Sequence, residues 1–281
     1  MVQILRLFVF AIVVGYFVST ANGESVLLIG PSPSGLFTAG GLTQYGHTVV
    51  NGPTYDAFDG SIDLSAYDVV VLSAVDYARP TMSQVGQQSI ADFVAHGGGL
   101  ITGEWTTWKN SFDVLMPLFP TTTDGSYIGG AGWMISVRYA QDTPDPIINA
   151  GLPSSMDFVV DAAGSEIIVP KAGATVFYSG DSISPYYSFT GSGWEPQYGV
   201  AASAGLVGWQ YGQGRVLNFS TTMQQPIGPD YTDNYSRLVA NAITWAGAGS
   251  ATAVPEPNSL ALFILGGFGI VFALQRRQLG Q

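Results

Sequence analysis

The acid best placed for chemistry in this sequence is Glu104, which follows an apolar run beginning near Gly99. Such a run predicts a buried strand, and ligands of open α/β sheets bind beyond the carboxyl ends of the strands. Trp105 and Trp108 add flat apolar faces on which a sugar ring can stack. Glu104 is therefore a candidate to hydrogen-bond a glycan or to act as an acid or base. The alternative is a glutamate that only caps the next turn.

A second acid is needed if this edge cleaves glycosides, since those enzymes use two carboxylates about 5 to 10 Å apart. Asp76 and Tyr77 follow another expected strand and belong to the same rim, so Asp76 is the candidate partner of Glu104. Trp194 lies in an aromatic loop and is a further candidate for sugar stacking, although that loop is equally explained as a hairpin connection.

Composition excludes several kinds of chemistry. The 281 residues contain no cysteine, which removes thiol nucleophiles, disulfides and thiolate metal sites. A net charge of −11 repels nucleic acid, so we expect no nucleic-acid partner.

Histidines and acids give no metal or cofactor site in the sequence. The two histidines have structural explanations: His47 opens a strand, and His96 ends a helix, where a positive charge suits the helix dipole. Asp124, Asp142 and Asp145 lack the spacing of an EF-hand loop and are typical of solvated turns. We expect neither a metal nor a cofactor.

Short apolar runs alternate with helical patterns in the first half of the chain. Strands are predicted at 25–30, 47–51, 69–73 and from Gly99 onward. Helices are predicted at 35–45, ended by Gly46, and at 83–95, with an apolar face of Val85, Ile90, Phe93 and Val94. This alternation predicts a doubly wound α/β sheet. Residues 106–164 show little periodicity, which indicates a loop-rich insertion over the rim.

Two stretches carry a family resemblance, Asp-Leu-Ser-Ala-Tyr-Asp-Val-Val-Val-Leu at 63–72 and Ile-Ala-Asp-Phe-Val-Ala-His-Gly-Gly-Gly-Leu at 90–100. Together with a closing strand at 212–220 and helix at 234–245, they resemble the class I glutamine amidotransferase-like fold, particularly its ThuA-like branch. The resemblance implies a flavodoxin-like, mainly parallel sheet over residues 24–246. It also implies sugars as the ligand class.

The resemblance places an active residue in the turn after the strand that begins at Gly99, where this chain has Gly103-Glu104-Trp105. Glutamine amidotransferases need a thiolate there, so that activity is excluded by the absence of cysteine. ThuA-like proteins place histidines near this elbow and near the closing strand. This sequence has none at either place.

The amino-terminal residues predict a secretory signal peptide over 1–23. Arg6 precedes an apolar stretch at 7–18, and Ala21-Asn22-Gly23 supplies the small residues that signal peptidase accepts. The mature chain is therefore expected to begin at Glu24, with signal peptidase as a partner.

The carboxyl-terminal residues predict a membrane helix at about 259–275, joined to the domain by a flexible linker at 247–253. Arg276 and Arg277 would hold the end of the chain in the cytoplasm. Val254-Pro255-Glu256-Pro257, the apolar helix and the arginine pair resemble the PEP-CTERM sorting signal of Gram-negative bacteria. The resemblance implies an exosortase as partner and delivery to the cell surface or exopolysaccharide matrix; the alternative is an ordinary single-pass anchor.

Two classes of function remain. The first is a non-catalytic surface or biofilm-matrix protein whose amidotransferase-like domain serves binding or structure, with exopolysaccharide or another glycan as partner. The second is a carbohydrate-active enzyme that uses Glu104 and Asp76.

Overall fold

The computed structural model describes residues 23–30, 41–73, 82–103, 106–107, 112–128, 135–160, 165–182, 186–189, 194–197, 203–221, 223 and 231–249. Residues 1–22 and 250–281 lie outside this part of the chain, so the signal peptide predicted at 1–23 and the membrane helix predicted at about 259–275 stay predictions. Within the described part of the chain, no helix is long and apolar enough to cross a membrane.

In the described part of the chain, thirteen strands form one mixed sheet. In chain order they are β1 (Ser25–Ile29), β2 (Thr48–Asn51), β3 (Val69–Leu72), β4 (Gly99–Thr102), β5 (Thr121–Ile128), β6 (Ile135–Gln141), β7 (Ser155–Val160), β8 (Ser165–Pro170), β9 (Thr175–Ser182), β10 (Tyr186–Phe189), β11 (Trp194–Gln197), β12 (Ala204–Tyr211) and β13 (Gly214–Phe219).

Five parallel strands build the first half of the sheet, in the order β2–β1–β3–β4–β13. With β13 as the fifth strand, this is the flavodoxin-like order 2-1-3-4-5. Strands β3 and β4 are buried at every residue because the sheet is covered on both faces, and their continuous apolar runs reflect that. The expected α/β class, the four early strands and the closing strand are confirmed.

The second half of the sheet is antiparallel. A tight hairpin at Gly212 joins β12 to β13, and the backbone φ of 61° at this position favours glycine. The sheet then continues through β8, β5, β10 and β11, while β9, β6 and β7 branch from β12.

Strands β5, β6 and β7 lie inside residues 106–164, where the sequence predicted a loop-rich insertion. In β6, Val137 and Tyr139 are buried while Arg138 between them is exposed. Small and polar residues interrupt this period-two alternation, so the pattern is weak in the sequence. The hydrogen bonds that make these segments strands come from partner strands, such as β9, which pairs with β6.

Two helices cover opposite faces of the parallel strands, α1 (Gln84–Ala95) and α2 (Ser236–Gly247). Helix α1 starts where the Ser83 side chain accepts a hydrogen bond from the Gly86 N–H, an N-cap. It buries Ile90 and Val94 as predicted, but Val85 is 69% exposed, so its place in the apolar face was wrong. At about 100° per residue, Val85 lies on the side of the helix opposite Val94, whereas Gly86 and Gln87 of the same turn are buried. A single π-helical turn, Tyr231–Tyr235, leads into α2.

A short 3₁₀ helix, Thr43–Tyr45, ends at Gly46 with a φ of 91°. Gly46 therefore terminates a helical segment as predicted, because only glycine adopts this left-handed conformation at no steric cost. Residues 35–40 of the helix predicted at 35–45 lie outside the described residues.

Candidate functional site

The connections that follow the parallel strands form the carboxyl edge of the sheet, where α/β proteins bind their ligands. Many of their residues lie outside the described part of the chain, namely 31–40 after β1, 74–81 after β3, 104–105 and 108–111 after β4, and 222 and 224–230 after β13. Five of the predicted site residues are among them: Asp76, Tyr77, Glu104, Trp105 and Trp108. Trp194 opens β11 and is paired with Phe189 of β10. All six site assignments stay predictions.

The backbone on both sides of Glu104 and Trp105 is held in place. Gly103 donates its N–H to Leu72 O of β3 at 3.3 Å, which ties the start of the turn to the neighbouring strand. Thr106 Oγ1 donates to Gly103 O at 2.6 Å, so a hydrogen bond spans the two intervening positions. A Cβ at Gly103 would lie 3.1 Å from Met223 Cε, so glycine lets the turn pack against the end of the closing strand. Residues 103–107, of which the structure describes 103, 106 and 107, are called the elbow below.

Glu166 lies beneath the elbow and is completely buried. Thr107 Oγ1 donates to Glu166 Oε1 at 2.5 Å, and the Glu166 N–H donates to Ser220 O at 2.9 Å. Burying a carboxyl group costs free energy unless polar partners compensate it, so an acid at this position is a functional candidate. Thr107, the partner of Glu166, is three positions after the predicted acid Glu104 in the sequence.

Sequence analysis missed Glu166. It is the second residue of β8, in the run Ser-Glu-Ile-Ile-Val-Pro, and both Glu166 and its neighbours Ser165, Ile167 and Ile168 are buried. The available signal was one acid at the head of a short apolar run. That signal is weak because such an acid is normally exposed at the strand's end.

Buried hydroxyl groups connect the end of β13 to the antiparallel half of the sheet. Tyr139 OH donates to Gly205 O at 2.7 Å and contacts Ser220 Oγ at 2.9 Å and Thr221 Oγ1 at 3.1 Å. Thr221 Oγ1 also contacts Tyr235 OH at 2.8 Å, at the end of the π-helical turn. These hydroxyl groups partner one another and the backbone, so they act as the rigid floor of the carboxyl edge.

A second polar chain runs below the elbow itself. Thr102 Oγ1 donates to Asn218 Oδ1 at 2.7 Å, and Asn218 Nδ2 donates to Thr121 Oγ1 at 2.9 Å. All three side chains are buried. These hydrogen bonds link the ends of β4 and β13 to the first residue of β5. They therefore hold in place the end of β4, the strand that precedes the elbow.

Both histidines lie away from this edge. His47 is buried at the start of β2, where its Nε2 lies 3.1 Å from Ala240 O and its Nδ1 accepts the Glu24 N–H. Burial lowers the pKa of His47, which keeps the ring neutral. His96 ends α1 with Nδ1 2.7 Å from Asp92 O. The structural roles predicted for both are in agreement with these contacts.

Chemically, the described part of the edge supplies hydroxyl groups, an amide and one buried carboxyl group. These groups bind neutral polar ligands such as sugars, whereas an activated nucleophile also needs an adjacent base. Among the described residues, no group of three or more histidine, aspartate or glutamate side chains is arranged to hold a metal ion.

The opposite, amino-terminal edge carries a concavity of about 480 Å³. Asp63, Tyr67, Asp92, Phe93 and His96 are among its lining residues. Its lining residues precede β3 and β4 in the chain. Ligands of open α/β sheets bind instead beyond the carboxyl ends of the strands.

Comparison with known proteins identifies a sorting motif at the carboxyl terminus. Residues 253–277 match the PEP-CTERM protein-sorting motif. The chain carries a PEP-CTERM sorting signal. The motif implies export, transient anchoring through the carboxyl-terminal region and processing by an exosortase. It includes all six predicted sorting residues, Val254, Pro255, Glu256, Pro257, Arg276 and Arg277. No curated protein matches the chain.

The folded domain is similar to solved structures of low sequence identity. A cytoplasmic protein from Salmonella typhimurium is 18% identical, with a TM-score of 0.56, over 79% of this chain and 98% of that one. A ThuA-like protein from Bacteroides uniformis is 13% identical, with a TM-score of 0.53, over 83% of this chain and 95% of that one. The domain therefore has the ThuA-like, amidotransferase-like fold. At this identity the likeness concerns the fold alone.

Proposed function

We propose that this protein is sorted to the cell surface or exopolysaccharide matrix, where its amidotransferase-like domain binds a glycan or serves as structure without catalysis. The observation that carries the proposal is the PEP-CTERM signal attached to a domain whose elbow has no thiol or imidazole beside it. An exosortase removes the tail near Val254-Pro255-Glu256-Pro257. The domain then remains outside the inner membrane.

The glycan part of the proposal is supported by the make-up of the carboxyl edge. Glu104, Trp105 and Trp108 belong to the connection after β4, which is anchored by Gly103 and Thr106. A carboxylate beside indole rings is suited to a sugar, since the acid accepts hydrogen bonds from hydroxyl groups and the rings stack on the C–H faces. Tyr77 and Trp194 are the further candidates for stacking. The rigid hydroxyl floor holds such a surface with little loss of conformational freedom on binding.

A second candidate function, a carbohydrate-active enzyme, is favoured by one observation, the buried carboxyl group of Glu166 beneath the elbow. Glycoside hydrolysis needs two carboxyl groups in different environments. Glu104 would be one, and either Asp76 or Glu166 the other.

The test uses the full, processed protein with exopolysaccharide of the producing strain and a glycan array. We expect binding that Glu104→Gln and Trp105→Ala weaken at least about tenfold, equivalent to roughly 1.4 kcal/mol. Asp63→Asn, at the opposite edge of the sheet, is the matched control and should leave binding unchanged. Full binding by both elbow variants would contradict a sugar site there.

Turnover distinguishes the two candidates. The non-catalytic proposal expects no reducing ends to be released from any bound glycan. Hydrolysis that disappears in Glu104→Gln, while the variant still unfolds cooperatively at the wild-type denaturant concentration, would establish the enzyme instead.

A further inference from the structure

Glu24, the first residue after the predicted signal peptidase site, is already part of the fold through its main chain. Its N–H donates to His47 Nδ1 at 3.1 Å, and its C=O accepts the N–H of Thr48 at 3.0 Å. Strand β1 starts at the next residue, Ser25. The nitrogen that cleavage would convert into a new chain terminus therefore has a fixed position in the domain.

The acceptor for this nitrogen is well defined. His47 is 3% exposed, and its Nε2 lies 3.1 Å from Ala240 O in α2. A carbonyl oxygen only accepts, so Nε2 carries the hydrogen and Nδ1 carries the lone pair. Burial lowers the pKa of His47, which favours this neutral ring. Nδ1 is thus available to an amide N–H or equally to an ammonium N–H.

Negative charge is concentrated beside the same nitrogen. The Glu24 carboxyl group hydrogen-bonds the Asp68 carboxyl group, and burial together with the Asp68 charge raises the pKa of Glu24 to about 7. Asp68 Oδ2 also accepts the Ser25 N–H at 2.8 Å, so Asp68 is held at the start of β1. Because the Glu24 carboxyl group belongs to the residue that bears the nitrogen, covalent geometry keeps the two within about 6 Å.

Before cleavage, the chain that enters this place is tightly confined. A Cβ on Gly23 would lie 1.8 Å from Gly46 O and 2.7 Å from His47 N, so only glycine passes the start of β2 in this arrangement. Hydrolysis of the Gly23–Glu24 peptide bond consumes one water. It leaves a carboxylate on Gly23 and, after protonation, a positively charged α-ammonium on Glu24.

We propose that the domain contains a binding site for this new α-ammonium group, in which His47 Nδ1 accepts one of its hydrogens and the Glu24–Asp68 pair supplies the compensating charge. The inference rests on the export part of the proposed function, since signal peptidase makes the terminus. Processing then does more than release the protein, because it places a cation beside the carboxyl groups of Glu24 and Asp68. The processed domain is more stable at neutral pH than one that retains Gly23.

The pH dependence has a definite sign. Without the ammonium, the folded pKa of Glu24, about 7, exceeds its ordinary value of 4.5, so stability falls as pH rises between these values. With the ammonium, ionised Glu24 is favoured and this loss shrinks. The carboxylates should raise the pKa of the α-amine above its ordinary range of about 7.7 to 8.0. Its contribution should therefore be present where Glu24 is ionised and the amine is charged, and should be lost as pH rises through the folded pKa of the amine.

The experiment compares two full-length exported chains that differ only in the residue at which a host signal peptide is removed. One begins at Glu24 and the other at Ala21, and both keep the native carboxyl terminus. Gly23 is present in the described structure, so the longer chain retains the same contacts. Urea unfolding is followed at pH 4, 7 and 9.5, and the α-amine pKa is measured by pH-dependent labelling and mass spectrometry.

We expect the unfolding equilibrium constant at pH 7 to be about tenfold smaller for the chain that begins at Glu24, which corresponds to one pKa unit. The difference should shrink at pH 4, where Glu24 is protonated in both chains, and at pH 9.5, where the amine has lost its proton. The labelled α-amine should titrate above its ordinary range in the folded chain and within it in urea. Asp68→Asn should reduce the difference, whereas the exposed Asp92→Asn should leave it unchanged.

Identical pH profiles for the two chains, or an α-amine with its ordinary pKa in the folded protein, would overturn the inference. Failure of the export proposal is seen separately. With the native signal segment, a mature chain that does not begin at Glu24 would contradict the predicted processing, while the comparison of the two imposed termini would still report on the binding site.

Discussion

Thr107 and Glu166 meet beneath the elbow, and this contact joins the connection after β4 to the head of β8. A buried carboxyl oxygen that accepts a hydroxyl hydrogen has replaced part of its hydration with one directed bond. The contact fixes Thr107, which is three positions after Glu104 in the sequence. The chain that follows the predicted site residues is therefore held by a residue pair that the sequence pattern did not indicate.

Removal of the Thr107 hydroxyl group should show how much this contact contributes. Thr107→Val keeps the shape of the side chain but takes the donor from Glu166 Oε1, which should lower the free energy of unfolding by about 1 to 3 kcal/mol. Urea unfolding at pH 7 is the measurement. Thr48→Val, on an exposed position of β2, is the control and should change the free energy by no more than about 0.5 kcal/mol. Equal effects of the two substitutions would mean that the hydrogen bond from Thr107 to Glu166 does not stabilise the elbow.

The helices and strands follow the sequence closely where apolar residues repeat at a fixed period. Helix α1 packs Ile90 and Val94 into the hydrophobic core on one face of the sheet, with Ser83 as its N-cap. Strands β1, β3 and β4 are short apolar runs and are almost completely buried, which is typical of parallel strands covered on both faces. Strand β2 lies at the edge of the sheet and is mostly exposed. These signals are local, and so they were predictable from the sequence.

Helix α1 offers a matched pair of substitutions. Ile90 is fully buried, so Ile90→Ala should lower the free energy of unfolding by about 2 to 5 kcal/mol through lost burial and a residual cavity. Val85→Ala, on an exposed side chain of the same helix, should change it by less than about 0.5 kcal/mol. Chemical denaturation of both variants checks the prediction. A comparable loss in Val85→Ala would mean that the Val85 side chain packs against the domain.

The antiparallel half of the sheet was not predictable in the same way. Strands β5, β6 and β7 contain threonine, serine, glycine and aspartate, whose intrinsic strand preference is mixed. Their pairing depends on partners far along the chain, such as β6 with β9 and β5 with β8. Prediction of the candidate site met the same difficulty. The burial of Glu166 can be recognised only when the fold places β8 beside the end of β13.

At the scale of the whole molecule, the chain is an acidic α/β domain that carries a PEP-CTERM sorting signal at its carboxyl end and a predicted signal peptide before it. Its net charge of −11 disfavours association with anionic polymers through charge alone. Binding to an acidic exopolysaccharide would therefore depend on hydrogen bonds and stacking at the carboxyl edge, and should vary little between low and moderate salt. The PEP-CTERM signal at 253–277 gives the domain its route to that location.

The most direct test of the central claim is intact-mass analysis of the protein recovered from the cell surface and exopolysaccharide fractions. The account predicts a chain that begins at Glu24 and lacks residues 260–281, and predicts that replacing Pro255, Glu256 and Pro257 by alanine leaves the full tail in the membrane fraction. A surface protein that retains the complete hydrophobic tail, or one whose processing is unaffected by these replacements, would contradict it.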